Sequence, residues 1–120
     1  MGHKSHHTES LDNLIHHLDH IGEHPNNIDW IMREGIWTPN DDQQYHTFPD
    51  LILVYKRERY AIPVELKSEG YSGSHHIMQL RAGNDFIRTR LNLECPYGTL
   101  VRYENKHPTN ISEYKRIKKW

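Results

Sequence analysis

An α/β or α+β architecture, one central mixed sheet of about four strands flanked by helices, is predicted for this chain by three observations. A helix-periodic apolar stripe of Leu11, Leu14, Ile15, Leu18 and Ile21 comes first. Two apolar strand-like runs, residues 51–55 and 60–67, follow across the charged connection Lys56-Arg57-Glu58-Arg59. A second helical stripe, Ile77, Leu80, Ile87 and Leu91, then precedes a last apolar run at residues 99–103. Helix, hairpin, helix and strand in that order suit one sheet covered by helices.

Taken in order, residues 1–8 are polar and His-rich and are expected to be loose, leaving residues 9–120 as a single domain. The first helix is expected over residues 9–21, ended by Gly22. Pro25-Asn26-Asn27 reads as a break and an N-cap for a short helix over residues 28–34, stopped by Gly35. Pro39-Asn40-Asp41-Asp42 is a turn signal between two short strands within residues 36–48. The unbroken apolar run Leu51-Ile52-Leu53-Val54-Tyr55 suits a strand buried on both faces. Pro63 cannot donate to a ladder, so it marks a strand start, an edge or a bulge within residues 60–67. Residues 68–74, with two glycines, form a loop before a helix over about residues 75–91. The chain closes on a basic tail with Lys115, Arg116, Lys118 and Lys119 before Trp120.

A chain of 120 residues fits one domain and can bury a core without disulfide or metal staples. Its mean hydropathy of -0.91 and hydrophobic fraction of 35% predict a small core under much polar surface. The net charge of -1 gives no general affinity for nucleic acid, but the charge is unevenly spread. Residues 1–50 hold Lys4 and Arg33 against nine acids, whereas residues 51–120 hold thirteen basic and seven acidic residues. That asymmetry suits one face that meets a polyanion and another that repels it. Cys95 is the single cysteine, which excludes an internal disulfide and reads as a buried thiol. No apolar run is long enough for a membrane span and no signal peptide is recognised, so the expected setting is cytoplasmic, without membrane partners.

The chemistry lies in Pro49-Asp50 and Glu65-Leu66-Lys67, which bracket the two apolar runs. Alternation along a strand puts Glu65 and Lys67 on one face and Leu66 on the other. If the two strands pair, a carboxylate from each approaches one point. Two such acids repel unless a cation neutralises them. Oxygen-only ligands favour Mg²⁺ or Mn²⁺. A water on such an ion is acidified for attack on a phosphodiester, and Lys67 is placed to orient it or to meet charge on the phosphate. The plain alternative reads Asp50 as a strand-entry residue and Glu65-Lys67 as a surface ion pair.

Residues 48–86 resemble the core of the PD-(D/E)xK nuclease superfamily: a helix, a three-strand meander, a second helix and a final strand, the restriction-endonuclease-like order αβββαβ. Pro49-Asp50 matches its first motif and Glu65-Leu66-Lys67 its second. The resemblance implies Asp50, Glu65 and the Leu66 carbonyl as metal ligands and Lys67 as the catalytic lysine. Holliday-junction resolvases and VRR-type nuclease modules place a polar residue in the second helix, where Gln79 stands. The family often adds an acid from the first helix. Glu34 is preferred here over Glu9, because Glu9 is explained as a complement to the helix dipole. These implications amount to a Mg²⁺-dependent DNA endonuclease, acting as a homodimer or with a specificity-giving partner protein, with branched DNA as one substrate. The rival expectation is a non-catalytic nucleic-acid-binding or assembly module of the same fold.

Seven of the eleven histidines lie within residues 1–24. The pairs His16/His20 and His20/His24 are spaced for one face of a helix, but no His-Glu-x-x-His pattern accompanies them, so they read as a solvated face. His75-His76 opens the second helix, as a cap or as a phosphate contact. Lys115, Arg116, Lys118 and Lys119 are candidates for nucleic-acid backbone contacts.

Overall fold

The computed structural model describes residues 4–34 and 48–119. The fold is α+β, with one mixed sheet of five strands and, among the described residues, two α-helices. Helix α1 spans His6–Ile15 and is followed by 3₁₀ turns at Leu18–Ile21 and Pro25–Asn27. Strands β1 (Trp30–Arg33), β2 (Leu51–Tyr55) and β3 (Tyr60–Ser68) form an antiparallel meander. Helix α2 (His75–Thr89) crosses over to β4 (Gly98–Tyr103), which lies parallel to β3, and β5 (Ile111–Ile117) closes the sheet antiparallel to β4. The two short strands expected around Pro39-Asn40-Asp41-Asp42 fall outside the described residues.

Four expectations change. Helix α1 begins at His6, within the stretch expected to be loose, because the Ser5 hydroxyl accepts the Thr8 N–H at 3.0 Å as an N-cap. It ends at Ile15 rather than Ile21. Leu18 and Ile21 are still buried, because a spacing of three also aligns side chains on a 3₁₀ turn, and left-handed Gly22 (φ 78°) ends it. Residues 30–33 form a strand, not a helix. So short a segment cannot sustain a helix, whereas Trp30 to Arg33 pair residue by residue with Val54 to Leu51. The basic tail is largely β5, an edge strand with most side chains exposed, held by its ladder to β4.

The sheet carries one apolar cluster on each face. Leu51, Leu53, Tyr55, Ile62, Val64 and Leu66 pack with Leu11, Leu14, Leu18 and Ile21. Ile52, Val54 and Ala61 pack with Phe86, Ile87 and Cys95 on the α2 side. β2 and β3 are therefore covered on both faces, as the unbroken apolar run demands. Pro63 sits inside β3, which is central in the sheet. Ala61 N–H donates to the Glu94 carbonyl on the β4 flank, and the Pro63 nitrogen, two residues on, faces that same flank. The β3–β4 ladder starts at Val64↔Thr99, so the proline falls just ahead of the ladder.

Gly83 sets how closely α2 approaches this face. A Cβ there would lie 2.6 Å from Pro63 Cβ and 2.9 Å from Pro49 Cγ, both on rigid rings. Gly83→Ala gains about 1 kcal/mol of helix propensity. It forces an overpacking that costs about 1–3 kcal/mol. The expected net result is a lower melting temperature, while Gly70→Ala, whose nearest neighbour is the Asn105 side chain at 3.8 Å, should melt like the parent. An unchanged melt for Gly83→Ala would contradict the close approach.

Candidate active site

The register Leu51↔Val64 continues one step beyond β2 and puts Asp50 opposite Glu65. The contact is reciprocal. Asp50 N–H donates to Glu65 Oε1 at 3.0 Å, and Leu66 N–H donates to Asp50 Oδ2 at 2.8 Å. Both carboxylates are buried, with 5% exposure at Asp50 and 1% at Glu65. Lys67, on the Glu65 face of β3, brings Nζ to 3.3 Å from Glu65 Oε2. The Leu66 carbonyl faces the same flank as its N–H, toward the point where β2 begins. Asp50, Glu65, Lys67 and Leu66 thus converge.

Two neighbours complete the cluster. Glu34 follows β1, and its N–H donates to the Asp50 carbonyl at 3.1 Å. Its carboxyl, on an exposed residue, is held above the usual range by partial burial and then by the Asp50 charge, with His7 opposing. Glu9 is exposed on α1, and no hydrogen bond joins its carboxylate to Asp50. His7, from α1, places Nε2 3.1 Å from Asp50 Oδ2, and that hydrogen bond raises its pKa. Sequence reasoning passed over His7, although Ser5 as a cap and the spacing His7, Leu11, Leu14 extend the inward stripe of α1 back to it.

Burial, then the nearby Asp50 carboxylate, pushes Glu65 up to about 9 against the opposing pull of Lys67. Burial between the strands thus favours the protonated form of Glu65. Two carboxylates that meet across β2 and β3 and a backbone carbonyl, all oxygen, are donors that would suit Mg²⁺ or Mn²⁺, and Glu34 joins them through its backbone N–H. The described residues also bring together His17, Asp19 and His20 on the first 3₁₀ turn, exposed and away from these acids. Its imidazoles suit a softer metal than Mg²⁺.

Gln79 stands on α2, the helix that covers the Glu65 and Lys67 face. Its Oε1 is buried and has no hydrogen-bond partner among the described residues, Lys67 included. Lys67 is held by Tyr71, whose ring centroid lies 5.1 Å from Nζ and 5.6 Å from the Arg102 guanidinium. Tyr71 also accepts the His76 N–H at 3.1 Å, and its carbonyl accepts from Arg102. Lys115, Arg116, Lys118 and Lys119 are not in the cluster, and Arg116 points to the far face, with Nη2 3.1 Å from the Gly22 carbonyl.

No family model matches the chain, and no curated protein or solved structure matches it. Among the described residues no helix is long and apolar enough to cross a membrane.

Proposed function

We propose that the chain is a Mg²⁺-dependent nuclease that hydrolyses DNA phosphodiester bonds, with a restriction-endonuclease-like core running from α1 through β4. The observation that carries this reading is the reciprocal Asp50–Glu65 contact across β2 and β3, with Lys67 on the Glu65 carboxylate. Asp50, Glu65 and the Leu66 carbonyl would hold the cation, with Glu34 beside them. When bound, it supplies charge neutralisation and makes a water a stronger nucleophile. His7 and the Leu66 N–H fix the rotamer of Asp50. Glu65 and Tyr71 hold the Lys67 ammonium, which remains 20% exposed and so can meet the negative charge that develops on the phosphate. Gln79 offers a buried acceptor on the covering helix. A domain this small leaves room for a homodimer or a partner protein in substrate choice.

The test is incubation with plasmid, single-stranded and branched DNA in Mg²⁺ or Mn²⁺. Cleavage is expected with at least one substrate, and Lys67→Ala should reduce it at least about 100-fold, the scale of losing one transition-state charge contact. No cleavage of any substrate, or an undiminished Lys67→Ala, defeats the proposal. One observation favours a second reading, a non-catalytic nucleic-acid-binding module: each carboxylate already has a backbone N–H from the opposite strand. That reading predicts salt-sensitive DNA binding that survives EDTA and mutation of Glu65.

A further inference from the structure

Beyond the carboxylates, the sheet edge and the start of α2 enclose two adjoining hollows of about 310 and 400 Å³ that share His76, Lys115 and Ile117. The larger is also lined by Ile77, Arg81, Lys118, Lys119 and Arg116, whose guanidinium is turned to the other face. None of the cations Arg81, Lys115, Lys118 and Lys119 has an ion-pair partner among the described residues. The smaller holds one acid, Glu113, which Arg102 neutralises at 3.1 Å. Alternation along β5 produces this division: Arg116 turns to Gly22 and Glu23, leaving Lys115 on the α2 side.

The hollows connect to Lys67. His76 lines both, and its N–H binds the Tyr71 hydroxyl under the Lys67 ammonium. Arg102, Lys67 and Lys115 lie close enough to add, after burial, to the lowering of the His76 pKa, so the ring is a neutral hydrogen-bonding group within a positive field. Ile77, on the hollow, and Met78 beside it are 38% and 59% exposed, which is unusual for large apolar side chains at the start of an amphipathic helix.

We infer that this α2–β5 groove binds an unpaired nucleic-acid strand, its phosphates on Arg81, Lys115, Lys118 and Lys119 and a base against Ile77 and Met78, and leads that strand past His76 to Lys67. The inference rests on the nuclease reading for its direction but not for the binding itself. Unneutralised cations in a concave groove attract a polyanion by charge complementarity. Exposed Ile77 and Met78 beside the cations offer apolar surface to the bases that an unpaired strand leaves open, in the place where many single-strand binders set aromatic rings.

The experiment is fluorescence anisotropy of labelled single-stranded and duplex oligonucleotides in EDTA, which separates binding from cleavage. The full chain should bind the single strand more tightly than the duplex. Lys115→Glu with Lys119→Glu should weaken single-strand binding at least about tenfold, and each cation removed should lower the salt slope by about 0.7. Lys56→Glu, in the turn at the other end of β2, serves as a charge control, and circular dichroism checks folding. The inference is overturned by equal losses in Lys56→Glu, by duplex binding as tight as single-strand binding, or by full affinity after charge reversal. Absence of cleavage alongside these binding results would remove the nuclease reading and leave the groove.

Discussion

Glu65→Gln is expected to raise the melting temperature of the metal-free protein at pH 8 and to abolish Mg²⁺-dependent cleavage. Glu65 is buried beside Asp50, and its pKa is lifted from 4.5 to about 9. Between those values the folded state keeps a proton that the unfolded chain releases, so stability falls as pH rises. The metal-free parent should therefore lose stability steadily from pH 5 to pH 8. The raised pKa of His7 acts in the same direction, since the stabilisation of a protonated histidine by Asp50 disappears as pH passes its folded value. His7 is present in both proteins, so the difference between them isolates Glu65. Glutamine keeps an oxygen for the Asp50 N–H and carries no charge to bury. Thermal melts in EDTA at pH 5 and pH 8 should show a steep pH dependence in the parent and a shallower one in the variant. Mg²⁺ should then stabilise the parent at pH 8 by about 2.7 kcal/mol at 100 times its Kd, and should not stabilise the variant. A variant less stable than the parent at pH 8 would show that the carboxylate is there to hold the strands together.

The largest loss of stability is expected from Glu23→Ala. Glu23 is 4% exposed on the loop after Gly22. It accepts hydrogen bonds from Tyr55 and, at 2.8 Å, from Tyr97, with Arg116 at 3.5 Å. Both tyrosines are held above their ordinary pKa by burial and then by this carboxylate, so they remain neutral donors. Arg116 also lies 4.6 Å from the Tyr97 ring. One carboxylate thus ties β2, the segment before β4, and the edge strand β5 to the loop. Truncation leaves the buried Tyr55 hydroxyl and the half-buried Tyr97 hydroxyl without this acceptor, and leaves Arg116 only the Gly22 carbonyl. The expected loss is about 3 kcal/mol, the lower end for breaking a buried pair because Arg116 is partly solvated. Tyr97→Phe removes one of these bonds and should cost about 1 kcal/mol. Urea titrations measure both, and a Glu23→Ala loss no larger than that of Tyr97→Phe would contradict the network.

The parts of the fold legible beforehand were those whose signal is local. The apolar run at residues 51–55, the stripe from Ile77 to Leu91 and the run at residues 99–103 became β2, α2, which stops at Thr89, and β4, because burial periodicity follows backbone geometry. Trp30–Arg33 and Ile111–Ile117 were not read as strands. The first is too short for a clear period, and the second is mostly exposed and charged, so each depends on the neighbour that completes its ladder. Glu23 could not be distinguished in the sequence because its partners lie 32, 74 and 93 residues away.

The candidate site divides in the same way. Alternation alone put Glu65 and Lys67 on one face, and the motif spacing selected Asp50. That Asp50 lies opposite Glu65, and that each takes a backbone N–H from the other's strand, depends on the register Leu51↔Val64, which a one-residue slip would destroy. His7, Tyr71 and Arg102 joined the cluster through three further elements or loops, and Arg116 left the basic group because its neighbour Lys115 took the α2 face. Residue types and strand period are written along the chain. Which charges meet, and which are buried deeply enough to change their chemistry, is decided by pairing between distant segments.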